Sequence, residues 1–273
     1  KGVQWQQALV LFNDLRILSP SVFSLRAAIS ACAKGTSWRR ALSLFDTYRE
    51  GLPSDVPSFN LAISACGRGG SWHRALLLFN EARREGLSLN VVSFRVAIRA
   101  CEKVAQWQQA LFLLKEACRD GLSLDVAIFN AAISACEKGK RWQPALLLLS
   151  EMRKVGLPPS VVSFSSAISA CEEVKQWQRA MALLETMREI DLTLHVVSFN
   201  SAISCCEKAS QWQSAMSLLE EMSNTNVTRD MISFSAAILA CEKCGQWLGV
   251  VSLFDKMLGE GSPPDDITIS TVL

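Results

Sequence analysis

The sequence predicts an all-α fold, an α-solenoid superhelix of tandem helix-turn-helix repeats, from three observations. All eight tryptophans, Trp5, Trp38, Trp72, Trp107, Trp142, Trp177, Trp212 and Trp247, are separated by 33, 34 and then, five times, 35 residues. A cysteine ladder (Cys32, Cys66, Cys101, Cys136, Cys171, Cys206, Cys241) and a phenylalanine ladder (Phe59, Phe94, Phe129, Phe164, Phe199, Phe234) keep the same step. Within each step, apolar residues recur every three to four positions rather than every two, which is the helical period. The full repeats one to seven are 22–55, 56–90, 91–125, 126–160, 161–195, 196–230 and 231–265, and 1–21 and 266–273 are partial repeats of the same single array.

Repeat two shows the unit. Phe59, Ala62, Ile63 and Cys66 fall at i, i+3, i+4 and i+7, one apolar stripe of a first helix, with Ser58 as its expected N-cap. Gly69-Gly70 interrupts that helix. Trp72, Ala75, Leu76, Phe79 and Ala82 then form the stripe of a second helix, which Gly86 ends. Two short amphipathic helices cannot bury their apolar faces alone, so neighbouring hairpins stack around a shared core. Both termini fall inside a repeat and neither shows a polar cap, so a fragment of a longer array is expected, with room for a catalytic extension outside it.

Composition excludes several classes. With 49% apolar and 20% charged residues the chain is of ordinary globular type rather than disordered, and no apolar run approaches the roughly 20 residues of a membrane span. Seven of its ten cysteines lie on the apolar stripes of first helices a whole repeat apart; the thiols are expected to be reduced, and the ladder to be core residues rather than disulfides or metal ligands. Cys241-Glu242-Lys243-Cys244 is a lone CxxC, and His73 and His195 sit in different repeats. No phosphate loop, nucleophile elbow or HExxH is present, so no catalytic site, metal or cofactor is expected within these residues. The tryptophans could be read as base-stacking platforms. Each opens the apolar stripe of a second helix, so burial between helices is the simpler account.

A polar stripe runs along the first helices at four-residue spacing: Asn60, Ser64 and Arg68 in repeat two, Asn130, Ser134 and Lys138 in repeat four. Over seven repeats it contains nine basic residues and one acid, Glu173, a net of +8, so the rest of a chain of net charge +2 sums to −6. In stacked repeats the stripe lines one side and favours a polyanion of regular repeat.

These residues resemble the pentatricopeptide repeat family, in its P-type form of 35-residue hairpins, on the pattern Val196-Val197-Ser198-Phe199-Asn200-Ser201-Ala202-Ile203-Ser204, then Ala215 to Met222, then Asp230. The resemblance extends over the whole chain, with Trp212 a variant where the family more often has an aliphatic residue. It implies sequence-selective binding of single-stranded RNA, one base per repeat. The partner would be RNA bound by a monomer, without membrane, and the address mitochondrion or plastid, although no targeting segment is visible. Base-reading pairs implied by the resemblance are Arg26 with Asp55, Asn60 with Asn90, Arg95 with Asp125, Asn130 with Ser160, Ser165 with His195, Asn200 with Asp230, and Ser235 with Asp265. Asn200 with Asp230 is similar to a uracil reader and Ser235 with Asp265 to a guanine reader. The pairs in repeats two and four are similar to pyrimidine readers, and those in repeats one, three and five depart from the family code. From 5′ to 3′ the target reads any, pyrimidine, any, pyrimidine, any, U, G.

The resemblance also implies base-sandwiching residues, Val92, Ala127, Val162, Val197 and Ile232, with Phe23 and Pro57 as irregular members. It implies phosphate-contacting residues as well: Lys34, Arg68, Lys103, Lys138, Lys208 and Lys243. Glu173 is the exception, so repeat five is expected to bind poorly. The rival class is a protein-binding array of tetratricopeptide type, with period 34. Period barely separates the two. The repeated Asn/Ser and Lys/Arg of the stripe favours RNA, whereas a peptide groove calls for varied charge and carboxylate or apolar clamps.

Overall fold

The computed structural model describes residues 22–34, 37–49 and 54–272, so the partial repeat 1–21 with Trp5 lies outside the described residues. These residues form fifteen α-helices and, among the described residues, no strand. The first helices are Val22–Lys34, Val56–Arg68, Val91–Glu102, Val126–Lys138, Val161–Glu172, Val196–Lys208 and Met231–Lys243. Each is followed by a second helix that starts on a tryptophan, from Trp38–Arg49 to Trp247–Gly259, and the chain ends in Asp266–Val272. Packing divides the chain into two compact units, Lys1–Gly139 and Lys140–Leu273.

Inside each unit the same contacts recur. A first helix packs on its own second helix, on the first helix of the next repeat, and on the second helix of the repeat before. First helices therefore form the inner layer. Their Phe, Ile and Cys ladders are almost fully buried, as at Phe94, Ile98 and Cys101. The rings Phe45 and Phe79 of second helices meet Phe59 and Phe94 edge-on at 5.0 and 4.9 Å. Arginines near the ends of second helices close the stack from outside. Arg49 lies 5.3 Å over Phe59 and binds Glu81 at 2.9 Å, and Arg83 binds Glu116 at 3.1 Å and Asp120 at 2.7 Å. In the second unit Arg153 covers Phe164 in the same way, and Arg229, in the loop just before the next first helix, covers Phe234.

Two expectations are corrected. The first helix of repeat two starts at Val56, so Ser58 is its third residue and Asp55 is the cap, accepting from the Ser58 amide at 2.8 Å. In every repeat but the fifth the last residue takes this place, because its extended backbone leaves the carboxylate, amide or hydroxyl facing the open N–H groups of the next helix. Second helices start instead without a side-chain cap. They follow a tight turn whose left-handed residue is glycine at Gly70 and Gly245 but Ala105, Lys140, Lys175 and Ser210 elsewhere.

The described tryptophans are half-buried rather than core, and Trp247 is 57% exposed. They sit at the first position of each second helix, where the Trp38 and Trp107 rings lie on the turns of the following repeats. A side chain at Gly69 or Gly139 would come within 2.4 or 2.5 Å of those rings, so these two glycines are required by space. The cysteines are free thiols, and the seven of the ladder are buried. Burial pushes the Cys101 and Cys136 thiols up to about 12, so they act as small apolar core residues.

Candidate nucleic-acid interface

The proposed site residues occupy fixed registers on the first helices. At the second position stand Val92, Val162, Val197 and Ile232, 42 to 60% exposed beside fully buried phenylalanines, with Ala127 and Pro57 also exposed and Phe23 80% exposed. Exposed apolar groups that recur at one register of the first helices leave apolar surface in contact with water at a fixed place in the repeat. Three residues on comes the first member of each base-reading pair, half-buried in repeats one to six and buried at Ser235. Two turns further, Arg68, Lys103, Lys138 and Lys243 are exposed and Lys208 is half-buried; the side chain of Lys34 lies outside the described residues.

Helix capping brings the pairs together. Asp125 gives one carboxylate oxygen to the Ile128 amide at 2.8 Å and the other to Arg95 at 2.7 Å. Asp55 divides its oxygens in the same way between Ser58 and Arg26. Burial raises the Asp55 carboxyl, but the hydrogen bonds from Ser58 and Arg26 override it and hold the group below the usual carboxylate range. In repeat six the Asn200 amide donates to both oxygens of Asp230, at 3.0 and 3.2 Å, while its carbonyl accepts from Ser233 at 2.5 Å. Burial likewise raises Asp230, and bonds from Ser233 and Asn200 outweigh it, so the net shift is downward.

Ser235 reaches Asp265 through Thr268, whose hydroxyl is 2.7 Å away and whose amide donates to Asp265 at 2.8 Å. Repeats two and five are arranged differently. Asn90 is exposed and caps the next helix through Ser93, while the Asn60 carbonyl oxygen is buried and finds no hydrogen-bond partner among the described residues. Ser165 bonds Ser198 at 2.8 Å, and His195 stands exposed beside Thr193 without capping its helix. Asn130 and Ser160 fall on either side of the division at Gly139; Ser160 caps its own helix through Ser163.

Sequence reasoning missed one column. The residue before the closing position is glutamate in repeats three to seven, and three of these carboxylates reach the stripe of the next repeat. Glu102 accepts from Lys138 at 2.7 Å and Ser134 at 3.2 Å, Glu172 from Lys208 at 2.9 Å and Ser204 at 2.7 Å, and Glu207 pairs with Lys243. The net of +8 read from the stripe is therefore corrected: with these three carboxylates the formal net charge of the face falls to +5. The recurring Cys-Glu-Lys triplet carried the signal. Glu173 adds a second carboxylate on Lys208 and binds Lys140 at 2.7 Å, and those two bonds draw it down to about 2.

Helical hairpins stacked within each unit, with an exposed apolar residue and a polar residue at fixed registers of the first helices and a closing base in every repeat but the fifth, define a helical-repeat protein. The PPR repeat model matches residues 57–87, 162–192, 197–227 and 232–262, and the pentatricopeptide repeat domain model matches 112–173. The chain belongs to the pentatricopeptide repeat family. No curated protein matches it by sequence. Among solved structures it is similar to the pentatricopeptide repeat protein PPR10 from maize, with 22% identity and a TM-score of 0.76 over 98% of this chain and 39% of that one. PPR10 in complex with an 18-nucleotide psaJ RNA element gives 16% identity and a TM-score of 0.58 over 100% of this chain and 45% of that one. The pentatricopeptide repeat domain of Arabidopsis thaliana protein-only RNase P 1, in complex with tRNA, gives 14% and 0.56 over 64% of this chain and 92% of that one. The chain thus spans well under half the length of PPR10.

Proposed function

We propose that this chain binds single-stranded RNA in extended form, as a single array, with one repeat addressed to each base. The observation that carries the reading is the register of repeat six. The Asn200–Asp230 pair lies in sequence between the exposed aliphatic groups Val197 and Ile232, with Lys208 two turns along the same helix. That order supplies a hydrogen-bonding edge for a base, apolar faces on both sides of it, and a cation for the phosphate. The complexes of the similar structures with RNA support the same reading.

The rival, a protein-binding array, calls for free carboxylate clamps. Here Glu102, Glu172 and Glu207 are already held by lysines of the next repeat. The function is binding rather than catalysis, and by family it is directed to the processing, stability, editing or translation of mitochondrial or plastid transcripts. Fluorescence anisotropy with an RNA carrying the pyrimidine and U-G steps, a scrambled RNA and the matching single-stranded DNA tests this at two salt concentrations. The expected result is preference for the first RNA and an affinity that falls as salt rises. Equal weak binding of all three, in a chain shown by circular dichroism to be helical, returns the array to the protein-binding class.

A further inference from the structure

The first helices of repeats two, three and four enclose a cleft of about 340 Å³, lined by Ser64, Arg68, Arg99, Lys103 and Lys138 together with Glu102. Its floor is the close approach of two helices: a side chain at Gly67 would come within 2.9 Å of the Ala100 Cβ. Arg68 stands on one wall, Arg99 and Lys103 on the middle helix, and Lys138 on the third.

The charges in this cleft are not balanced. Glu102 is spoken for by Lys138 at 2.7 Å, and Lys103 donates to the Arg68 carbonyl. The guanidinium groups of Arg68 and Arg99 have no hydrogen-bond or ion-pair partner among the described residues, whereas Arg26, Arg49, Arg83 and Arg95 each hold a carboxylate. Arg99 is also out of pattern. Its register is serine at Ser30, Ser64, Ser134, Ser169 and Ser204 and leucine at Leu239. Unpaired like charges gathered in a concavity repel one another, and an anion placed among them removes that cost. A planar guanidinium presents paired donors that match phosphate oxygens.

We propose that this cleft is a phosphate-binding anchor that holds one phosphate of the RNA through Arg99, Arg68 and Lys103 and so sets the register of the strand on the array. The anchor rests on the RNA reading above. It adds that phosphate contacts are unequal, with one step dominating.

The test compares wild type with Arg99→Ser, which installs the side chain that five other repeats carry and leaves the fold intact by circular dichroism. Each contact with a single strand contributes a slope of about −0.7 in log affinity against log salt, about 5-fold at 0.1 M. The variant is therefore expected to bind RNA at least 5-fold more weakly, with a correspondingly shallower slope. Methylphosphonate replacement of one phosphate at a time is expected to show a single dominant position in wild type and none in the variant. RNAs with a 5′-phosphate and a 5′-hydroxyl separate a terminal phosphate from an internal one. Inorganic pyrophosphate is expected to raise the melting temperature of wild type and not of the variant. Unchanged RNA affinity and slope in the variant, while wild type binds RNA, overturns the anchor alone. An Arg99-dependent pyrophosphate effect without RNA binding keeps the anion site and overturns the RNA reading.

Discussion

Between pH 9 and 11 the folded chain is expected to lose stability steeply, with its buried thiols contributing to the slope. Burial raises Cys101, Cys136, Cys205 and Cys206 to about 12 and Cys66 and Cys171 to about 11, from an ordinary value of 9.0. Above pH 9 the unfolded chain gives up these protons and the folded chain keeps them. The folded pKa is the higher one, so the stabilisation is complete below pH 9 and is lost as pH rises toward 11 and 12. Each thiol contributes up to about 1.4 kcal/mol per pH unit in that window. Guanidinium unfolding in reducing buffer at intervals from pH 8 to 11 measures the slope. A Cys101→Ala/Cys136→Ala variant starts less stable, because two buried sulfurs are lost, but its slope is shallower by about two protons. Equal slopes in the two proteins would mean that these thiols do not titrate differently on unfolding.

Replacing Glu173 by lysine is expected to strengthen RNA binding. In repeat five this carboxylate stands where other repeats carry the closing base, and it occupies both Lys208 and Lys140. Glu173→Lys adds one cation and loosens Lys208, which Glu172 still holds at 2.9 Å. One further phosphate contact corresponds to a slope steeper by about 0.7 and roughly 5-fold tighter binding at 0.1 M salt. Glu173→Gln removes the clamp without adding charge and is expected to give a smaller gain. Because Glu173 is a surface residue, thermal stability should change little. Anisotropy over a range of salt concentrations decides it, and an affinity unchanged or weakened by Glu173→Lys places the RNA phosphates away from this row.

The helical hairpins were legible because one-dimensional stacking repeats every burial requirement at a fixed interval, so the Phe and Cys ladders mark the inner layer directly. Capping was less legible. Ser58 and Asp55 are both good caps, and only the backbone shows that the helix starts before Ser58. The tryptophan ladder marked the register correctly but not the depth, because a ring at the first position of a helix packs on a neighbouring turn rather than into the core. The Glu102, Glu172 and Glu207 column went unread because one-helix bookkeeping treats each carboxylate as its own repeat's residue. Its partner lies 32 to 36 residues away, on the next hairpin.

The central claim, that each repeat addresses one base through its polar pair, is tested most directly by a crossed measurement on repeat six. Asn200→Ser gives this repeat the pair that repeat seven already has in Ser235 and Asp265, and it leaves Asp230 in place as the helix cap. Affinities of wild type and variant are measured for two RNAs that differ only by U or G at the sixth step. Wild type is expected to prefer U and the variant G, each by about 1 to 3 kcal/mol or about 5- to 150-fold, with every other step unchanged. If both proteins rank the two RNAs identically, the pair in repeat six does not read a base.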